Sequence, residues 1–219
     1  MTKETLSAQT TSELIAERIR NAIIVGEYES GEALKQDVLA EKYGVSKIPV
    51  REALFQLKTE GLVDFIHNRG SVVSSLSTEE VEEIYTMRMA LEQIALERAI
   101  PHLLDTNRIG AESILRLIDT SSDPIDWTKL NWDFHASLYR AANMPKLLET
   151  IEMLHNNVAR YLPLYLKQLK FQDTSQAEHW SLLEACSAKN TSLALTILQQ
   201  HLDGALEHTL DLMNPRSQA

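Results

Sequence analysis

The sequence has almost no cysteine, no long apolar run and few glycines, and two of these shortages exclude classes of protein. Cys186 is the only cysteine among 219 residues, so an internal disulfide is impossible and a reducing, cytoplasmic location is expected. No apolar stretch approaches the ~20 residues that a membrane span needs. The polar start lacks the apolar segment of a signal peptide. We therefore expect a cytoplasmic protein with no membrane partner.

Positive charge is also scarce. The chain carries 21 basic and 31 acidic side chains, a formal net charge of −10. Residues 1–76 contribute −2 and residues 77–219 contribute −8. A protein that coats nucleic acid without sequence preference would be strongly basic. Any DNA-binding surface here must concentrate a few cations locally. This favours a dimeric protein that binds a specific DNA sequence.

Residues 1–76 are predicted to form one small domain of helices and a β-hairpin. The helices are expected from Ser12 to about Gly26, over Leu34–Tyr43, and from Ser46 to Gly61. Two short strands, Leu62–Ile66 and Ser71–Val73, flank a turn over His67–Gly70. The last helix leads directly into the hairpin, which is the order of a winged helix-turn-helix.

The helix that follows Ser46 combines an apolar face with a basic start. Val50, Leu54 and Leu57 recur at helical spacing, whereas Lys47 and Arg51 are displaced from that face. A helix of this kind can enter a major groove while a basic hairpin contacts the backbone or the minor groove. We therefore predict a winged helix-turn-helix that binds DNA.

Residues 77–219 are predicted to be entirely helical. Ser77 and Glu80 form a capping box that opens a long helix to about Ile100. Further helices are expected over residues 108–118, 127–142, 146–170, 175–188 and 192–213, with a kink or break at Pro163. The expected fold class is mainly α: a winged helix-turn-helix with a small β-hairpin wing, followed by an all-α bundle of six or seven helices.

Histidines on separate helices of the second domain suggest a metal site. Asn131 and His135 are one turn apart and share a helix face, and His179 and His201 lie on two later helices. Helices of a bundle can bring such groups to one point. Spacing alone leaves the ordinary alternative open, because single histidines on amphipathic helices are more often solvated or hydrogen-bonded.

The motif residues resemble a known family. The stretch GVSKIPVREALFQLKTEGLV, with NRGSVV after it, resembles the DNA-binding domain of GntR-type bacterial transcription regulators. Residues 78–219 resemble the FadR-like ligand domain (FCD) of that superfamily, in its shorter, VanR-like six-helix branch. The resemblance implies a winged DNA-binding domain over 1–76 and an effector-binding and dimerisation domain over 77–219. It also implies a homodimeric repressor on double-stranded operator DNA, and no enzyme activity.

The resemblance assigns DNA contacts to the start of the recognition helix and to the wing tip. The corresponding residues are Ser46, Lys47, Ile48, Pro49, Arg51, His67, Asn68, Arg69 and Gly70. The family usually has arginine where this chain has Lys47, and often a basic residue where it has Asp37. A lysine offers a point charge in place of a bidentate fork, so base preference at that position is expected to differ.

The resemblance also implies a divalent metal ion, zinc or nickel by ligand chemistry, held by Asn131, His135, His179 and His201. The resemblance further implies that the open coordination positions of this metal accept a small carboxylate effector, with Arg88, Tyr139 and Arg160 as contacts. Arg88 has an equal alternative, an ion pair with Glu92 one turn on. Two other functions remain open at this point: a metal-dependent hydrolase with an appended DNA-binding domain, and a regulator whose metal is purely structural.

Overall fold

The computed structural model describes residues 9–162 and 169–214, which divide into two compact units with their boundary between Ser75 and Leu76. The first unit contains three helices and an antiparallel hairpin, as predicted. In chain order they are α1 (Thr11–Ile24), α2 (Gln36–Tyr43), α3 (Lys47–Thr59), β1 (Val63–Ile66) and β2 (Gly70–Val73).

Two helix starts in this unit differ from the prediction. Thr10, not Ser12, caps α1: its hydroxyl accepts the N–H of Glu13, whose carboxylate accepts the N–H of Thr10. The second helix begins at Gln36 and not at Leu34, because the Leu34 N–H donates to the carbonyl of Ser71 in β2. Tertiary pairing with the hairpin thus overrides the local helical pattern at Leu34.

The core of the first unit decides which face of α3 remains free. Val50, Leu54 and Leu57 are fully buried and pack in one cluster with residues of α1, among them Ile19 and Ile23. Because that stripe is covered, the opposite side of α3 and its first turn are exposed. The predicted amphipathic face therefore sets the orientation of the recognition helix.

The hairpin ends in a tight turn. Ile66 pairs with Gly70, and between them Asn68 adopts a left-handed φ of 63°. Gly70 follows with a φ of 75°, a conformation that costs glycine little. On its other edge β2 pairs with an extended segment: Val73 donates to the carbonyl of Glu32 and accepts from Gly31, both at 2.9 Å. These contacts fasten the base of the wing to its own unit.

Every secondary-structure element among the described residues of the second unit is a helix, as predicted. Its helices are α4 (Thr78–Ala99), α5 (Asp105–Thr120), α6 (Pro124–Tyr139), α7 (Pro145–Ala159), α8 (Leu169–Ser187) and α9 (Thr191–Met213). Short 3-10 turns follow α4 and α6. The predicted capping box of Ser77 and Glu80 opens α4. None of the described helices is both long and apolar enough to cross a membrane.

The single helix predicted over residues 146–170 is interrupted. The α7 helix ends at Ala159, and the next described helix begins at Leu169. Proline has no N–H to donate to the carbonyl four residues before it, and Pro163 stands four residues after Ala159. Pro163 itself, where a kink was predicted, lies outside the described residues.

The α4 helix lies at the centre of the second unit. Val81, Ile84 and Tyr85 on its first half pack against Leu154 and Val158 of α7 in one buried cluster, to which α9 also contributes. This packing buries the middle of α4 and thereby places polar residues of that helix inside the bundle.

Candidate nucleic-acid interface and metal centre

The start of α3 presents unbonded polar groups to solvent. Ser46 occupies the N-cap position with an extended backbone, but its hydroxyl makes no capping hydrogen bond with the helix. Ser46, Lys47 and Ile48 are exposed, and Pro49 is half-buried. The Ser46 hydroxyl and the free N–H groups of the first turn can therefore donate hydrogen bonds to a phosphate.

Lys47 is held by Asp37 of α2. The Lys47 Nζ lies 2.6 Å from Oδ1 of Asp37, and their side chains are 64% and 74% exposed. The sequence indicated only that Asp37 replaces a basic residue. The structure adds that this carboxylate forms an ion pair with Lys47, so Asp37 competes with any phosphate or base for that lysine.

An aromatic pair connects α3 to the wing. Phe55 of α3 stacks on Phe65 of β1 with ring centroids 4.8 Å apart. The guanidinium carbon of Arg51 lies 5.6 Å from the Phe55 ring, and Lys58 lies 5.6 Å from the Phe65 ring. The stack holds the recognition helix and the wing strand together and restricts the Arg51 side chain. Sequence reasoning did not find this pair.

The wing tip is fully accessible. His67, Asn68, Arg69 and Gly70 are all exposed, and the Arg69 N–H closes the turn on the carbonyl of Ile66 at 3.1 Å. Arg51 and Arg69 make no ion pair with any residue that the structure describes. Two unpaired arginines therefore flank the face formed by α3 and the hairpin.

In the second unit, three helices bring the predicted histidines together. His135 comes from α6, His179 from α8 and His201 from α9, and one ring nitrogen of each lies within 4.8 Å of the others. All three side chains are buried. No other metal-capable cluster of histidine, cysteine or acidic residues is present among the described residues.

Asn131 lies on the stripe of α6 that faces this cluster. Trp127 and His135, one turn to either side, have ring centroids 5.9 Å and 5.1 Å from that of His179. Asn131 lies between them at helical spacing and is itself buried. Its amide makes no hydrogen bond with a described residue, so the side chain is available to the site.

Each histidine of the cluster uses Nδ1 for a hydrogen bond to a neighbouring side chain. The partners are the Tyr139 hydroxyl for His135 (3.3 Å), Gln176 Oε1 for His179 (3.1 Å) and Glu178 Oε2 for His201 (2.9 Å). Outer partners of this kind fix the ring orientation of metal-binding histidines and leave Nε2 as the ligand atom. Three Nε2 atoms are therefore free to face one point.

The interior favours the neutral form of two of these rings, those of His135 and His179. Burial, reinforced by His179 and His201, holds the pKa of His135 well below its usual value. Burial and His201 do the same to the pKa of His179. The buried Nε2 of His179 has no hydrogen-bond partner in the described chain, an omission that costs about 1–3 kcal/mol. Neutral imidazoles with an unsatisfied nitrogen fit a divalent metal such as zinc or nickel.

Arg88 makes the ion pair that was its alternative assignment. Its Nε lies 2.8 Å from Oε1 of Glu92, and both side chains are almost fully buried. The other Glu92 oxygen accepts the Tyr139 hydroxyl at 2.7 Å. The two terminal nitrogens of Arg88 make no hydrogen bond with any described residue, so they remain available to an anion. Arg160 is also buried and donates from Nε to the carbonyl of Asn157 at 3.0 Å.

Several polar residues around the cluster were not predicted. Glu92 was considered only as a partner of Arg88, and Gln176 and Glu178 were not considered. Ser175, one turn before His179, is buried with a hydroxyl that has no partner among the described residues. The nearness of these three α8 residues to His179 was the only available signal, and it could not show which of them point inward.

Two family comparisons cover most of the chain. The FCD domain matches residues 83–204, more than half of the chain, and the bacterial regulatory proteins of the gntR family match residues 11–73. The chain belongs to the GntR family. This membership confirms the resemblance drawn from the recognition-helix motif and from the helical domain.

Relatives of this GntR protein extend over nearly its whole length. The HTH-type transcriptional repressor GlaR of Escherichia coli (strain K12) is 28% identical over 195 residues, 84% of this chain and 89% of that protein. The gluconate operon transcriptional repressor of Bacillus subtilis (strain 168) is 27% identical over 220 residues, 94% and 88% of the two chains.

Solved structures agree with the fold. A GntR family transcriptional regulator from Pseudomonas syringae pv. tomato str. DC3000 is 34% identical, with a TM-score of 0.59 over 94% of this chain and 88% of that one. E. coli McbR/YncC superposes with a TM-score of 0.84 at 21% identity, covering 94% and 99%. The second similarity bears on the fold alone.

The family and its relatives are transcription regulators and not enzymes. The prediction that this protein is not an enzyme is thereby confirmed, and the hydrolase alternative has no support from the relatives. This GntR protein is a DNA-binding transcription regulator.

Proposed function

We infer that this regulator is a cytoplasmic, homodimeric repressor whose affinity for its operator is changed by a small carboxylate bound in a metal-containing helical unit. The observation that carries the inference is the convergence of three buried histidines beside an arginine with free terminal nitrogens. The relatives' names add support, since one represses the gluconate operon and gluconate is itself a carboxylate.

Operator contact is assigned to the exposed face of the first unit. Arg51, whose guanidinium lies over Phe55, would read a guanine edge in the major groove. The Ser46 hydroxyl and the first-turn N–H groups, with Ile48 and Pro49 alongside, would position the backbone. The wing tip, His67 to Gly70, would lie along the adjacent groove or phosphates, with Arg69 as its cation.

Metal binding is assigned to the Nε2 atoms of His135, His179 and His201, together with the Asn131 carbonyl oxygen. All four donors are neutral, so the full charge of a bound zinc or nickel ion would attract an anionic ligand. A bound cation supplies open coordination positions for a carboxylate. The role of the protein is to hold these rings in one orientation through Nδ1 and to exclude water around them.

The carboxylate itself is assigned to Arg88, whose terminal nitrogens can form a forked pair with it. Tyr139 is engaged with Glu92 and His135, so its contribution is to orient the site as well as to line it. Arg160, also buried, would be the second cation in contact with the carboxylate. A ligand that binds better to one arrangement of the dimer than to another would shift operator affinity accordingly.

Three measurements on the full chain test this function. Fluorescence anisotropy with a fragment of its own promoter should show binding that prefers this sequence over scrambled DNA at moderate salt. Elemental analysis should find about one zinc or nickel ion per chain, since the described residues contain a single histidine cluster. A thermal-shift screen should find a small carboxylic acid that raises the melting temperature of the metal-loaded protein and not of the chelated one.

Matched variants on α9 provide the control for the metal assignment. His201→Ala should lose the metal, whereas His208→Ala should retain it, because His208 is not part of the cluster and its Nδ1 hydrogen-bonds the Gly204 carbonyl. Metal retained in both variants would refute the ligand set. Metal present with no carboxylate response would instead support the purely structural role, and absence of sequence-preferring DNA binding would refute the operator assignment.

A further inference from the structure

We propose that Glu92 is a positioning residue of the metal centre: acting through Tyr139, it fixes which ring nitrogen of His135 carries the proton. The proposal rests on the metal site inferred above. It concerns a buried carboxylate on α4 that neither the sequence motifs nor the family comparisons assign to the site.

A continuous chain of hydrogen bonds crosses from α4 to α6. Arg88 Nε lies 2.8 Å from one Glu92 oxygen, and the Tyr139 hydroxyl lies 2.7 Å from the other. The same hydroxyl lies 3.3 Å from Nδ1 of His135. Glu92 is fully buried, and Arg88, Tyr139 and His135 are 5%, 2% and 3% exposed. No bulk solvent is therefore present to replace these bonds.

The direction of each bond follows from the chemistry of its ends. An arginine can only donate, and a carboxylate paired with it can only accept. The Tyr139 proton must therefore point to Glu92, which leaves the Tyr139 oxygen as an acceptor toward His135. His135 then donates from Nδ1–H, which leaves the lone pair on its other ring nitrogen, Nε2. Only that ring form can bind a metal through Nε2.

An amide at position 92 would reverse the direction of the hydrogen bonds between residue 92, Tyr139 and His135. Arg88 still requires an acceptor, so the carbonyl of the new glutamine would face Arg88 and its NH2 group would face Tyr139. The Tyr139 oxygen would then accept from that NH2 group and its proton would point to His135 Nδ1. The proton of His135 would consequently move to Nε2, the atom assigned to the metal. Glu92→Gln thus changes the direction of the bonds while preserving nearly the same shape.

The test combines zinc affinity with a direct reading of the ring form. Zinc affinity of the full chain is measured by competition with a chromophoric chelator. The protonated nitrogen of His135 is read from imidazole 15N shifts of the metal-free protein. Glu92→Gln should lower the affinity about 10–100-fold, the usual effect of removing an outer partner, and should place the His135 proton on Nε2. Glu97→Gln, an exposed change on the same helix, should do neither.

A second variant separates this role from a general effect on folding. Tyr139→Phe removes the hydroxyl that links Glu92 to His135, so it should weaken zinc binding. Adding Glu92→Gln to this variant should then cause no further loss of zinc affinity. If wild-type protein binds zinc, and Glu92→Gln or Tyr139→Phe binds it equally with His135 unchanged, the positioning role is overturned while the metal site stands. If wild-type protein binds no zinc, the metal site itself fails; the ring form of His135 in the metal-free variants then still decides the hydrogen-bond argument.

Discussion

Removal of the Asp37 carboxylate should strengthen DNA binding. Asp37 lies beside the start of the recognition helix and holds Lys47 through a 2.6 Å ion pair. Its negative charge also faces the side on which DNA phosphates are expected. Asp37→Asn keeps the size of the side chain but frees the lysine and removes the repulsion, and both changes strengthen binding.

The magnitude is modest because both side chains are well exposed. An exposed ion pair contributes about 0.2–1 kcal/mol, which Lys47 must give up to reach DNA. Repulsion between the carboxylate and one phosphate about 7 Å away in water adds about 0.6 kcal/mol. Together these effects give about 1 kcal/mol per DNA-binding unit, a change of about fivefold in affinity. Each additional phosphate neutralised would also steepen the dependence of log K on log salt by about 0.9.

Fluorescence anisotropy titrations of a promoter fragment at several salt concentrations would measure both effects. Glu41→Gln is the matched control, since it removes one negative charge from the exposed side of the same α2 helix without a pairing to Lys47. Asp37→Asn should bind more tightly than Glu41→Gln and with a steeper salt dependence. Equal affinities and slopes for the two variants would refute the claim that Asp37 restrains Lys47.

Three further predictions concern separate parts of the chain. Phe55→Ala should weaken DNA binding more than Phe55→Leu in anisotropy titrations, because only a large apolar side chain can still support Arg51 and the wing; equal affinities would contradict this. Cys186 should resist a thiol reagent at pH 8 until the protein is unfolded by urea, since burial raises the pKa of its thiol to about 12; rapid labelling of native protein would be inconsistent with that burial. Lys189→Met should lower the free energy of unfolding by about 1–2 kcal/mol in urea titrations, because Lys189 Nζ donates to the carbonyls of Ile100 and Leu103 after α4. Unchanged stability would mean that solvent replaces both hydrogen bonds.

Local sequence was sufficient for the elements whose signals lie within a few residues. The Ser77 and Glu80 capping box, the apolar stripe of α3 and the order of helices and hairpin were all predicted correctly. Where tertiary contacts intervened, local signals failed. Leu34 continues a helical pattern but pairs with the hairpin, and its backbone hydrogen bond to Ser71 outweighs an intrinsic helix preference of less than about 1 kcal/mol.

The sequence alone thus determined the fold class, the family and the histidines that could meet, because periodicity and motif spacing are local properties of the chain. Only the tertiary structure decided what surrounds those histidines and what restrains the DNA-binding face. Glu92 and Tyr139 are 47 positions apart, and Glu178 and His201 are 23 apart. Such pairs form when packed helices remove polar groups from water and each buried donor must find an acceptor. That requirement selects partners by position in space, and helical periodicity does not carry that information.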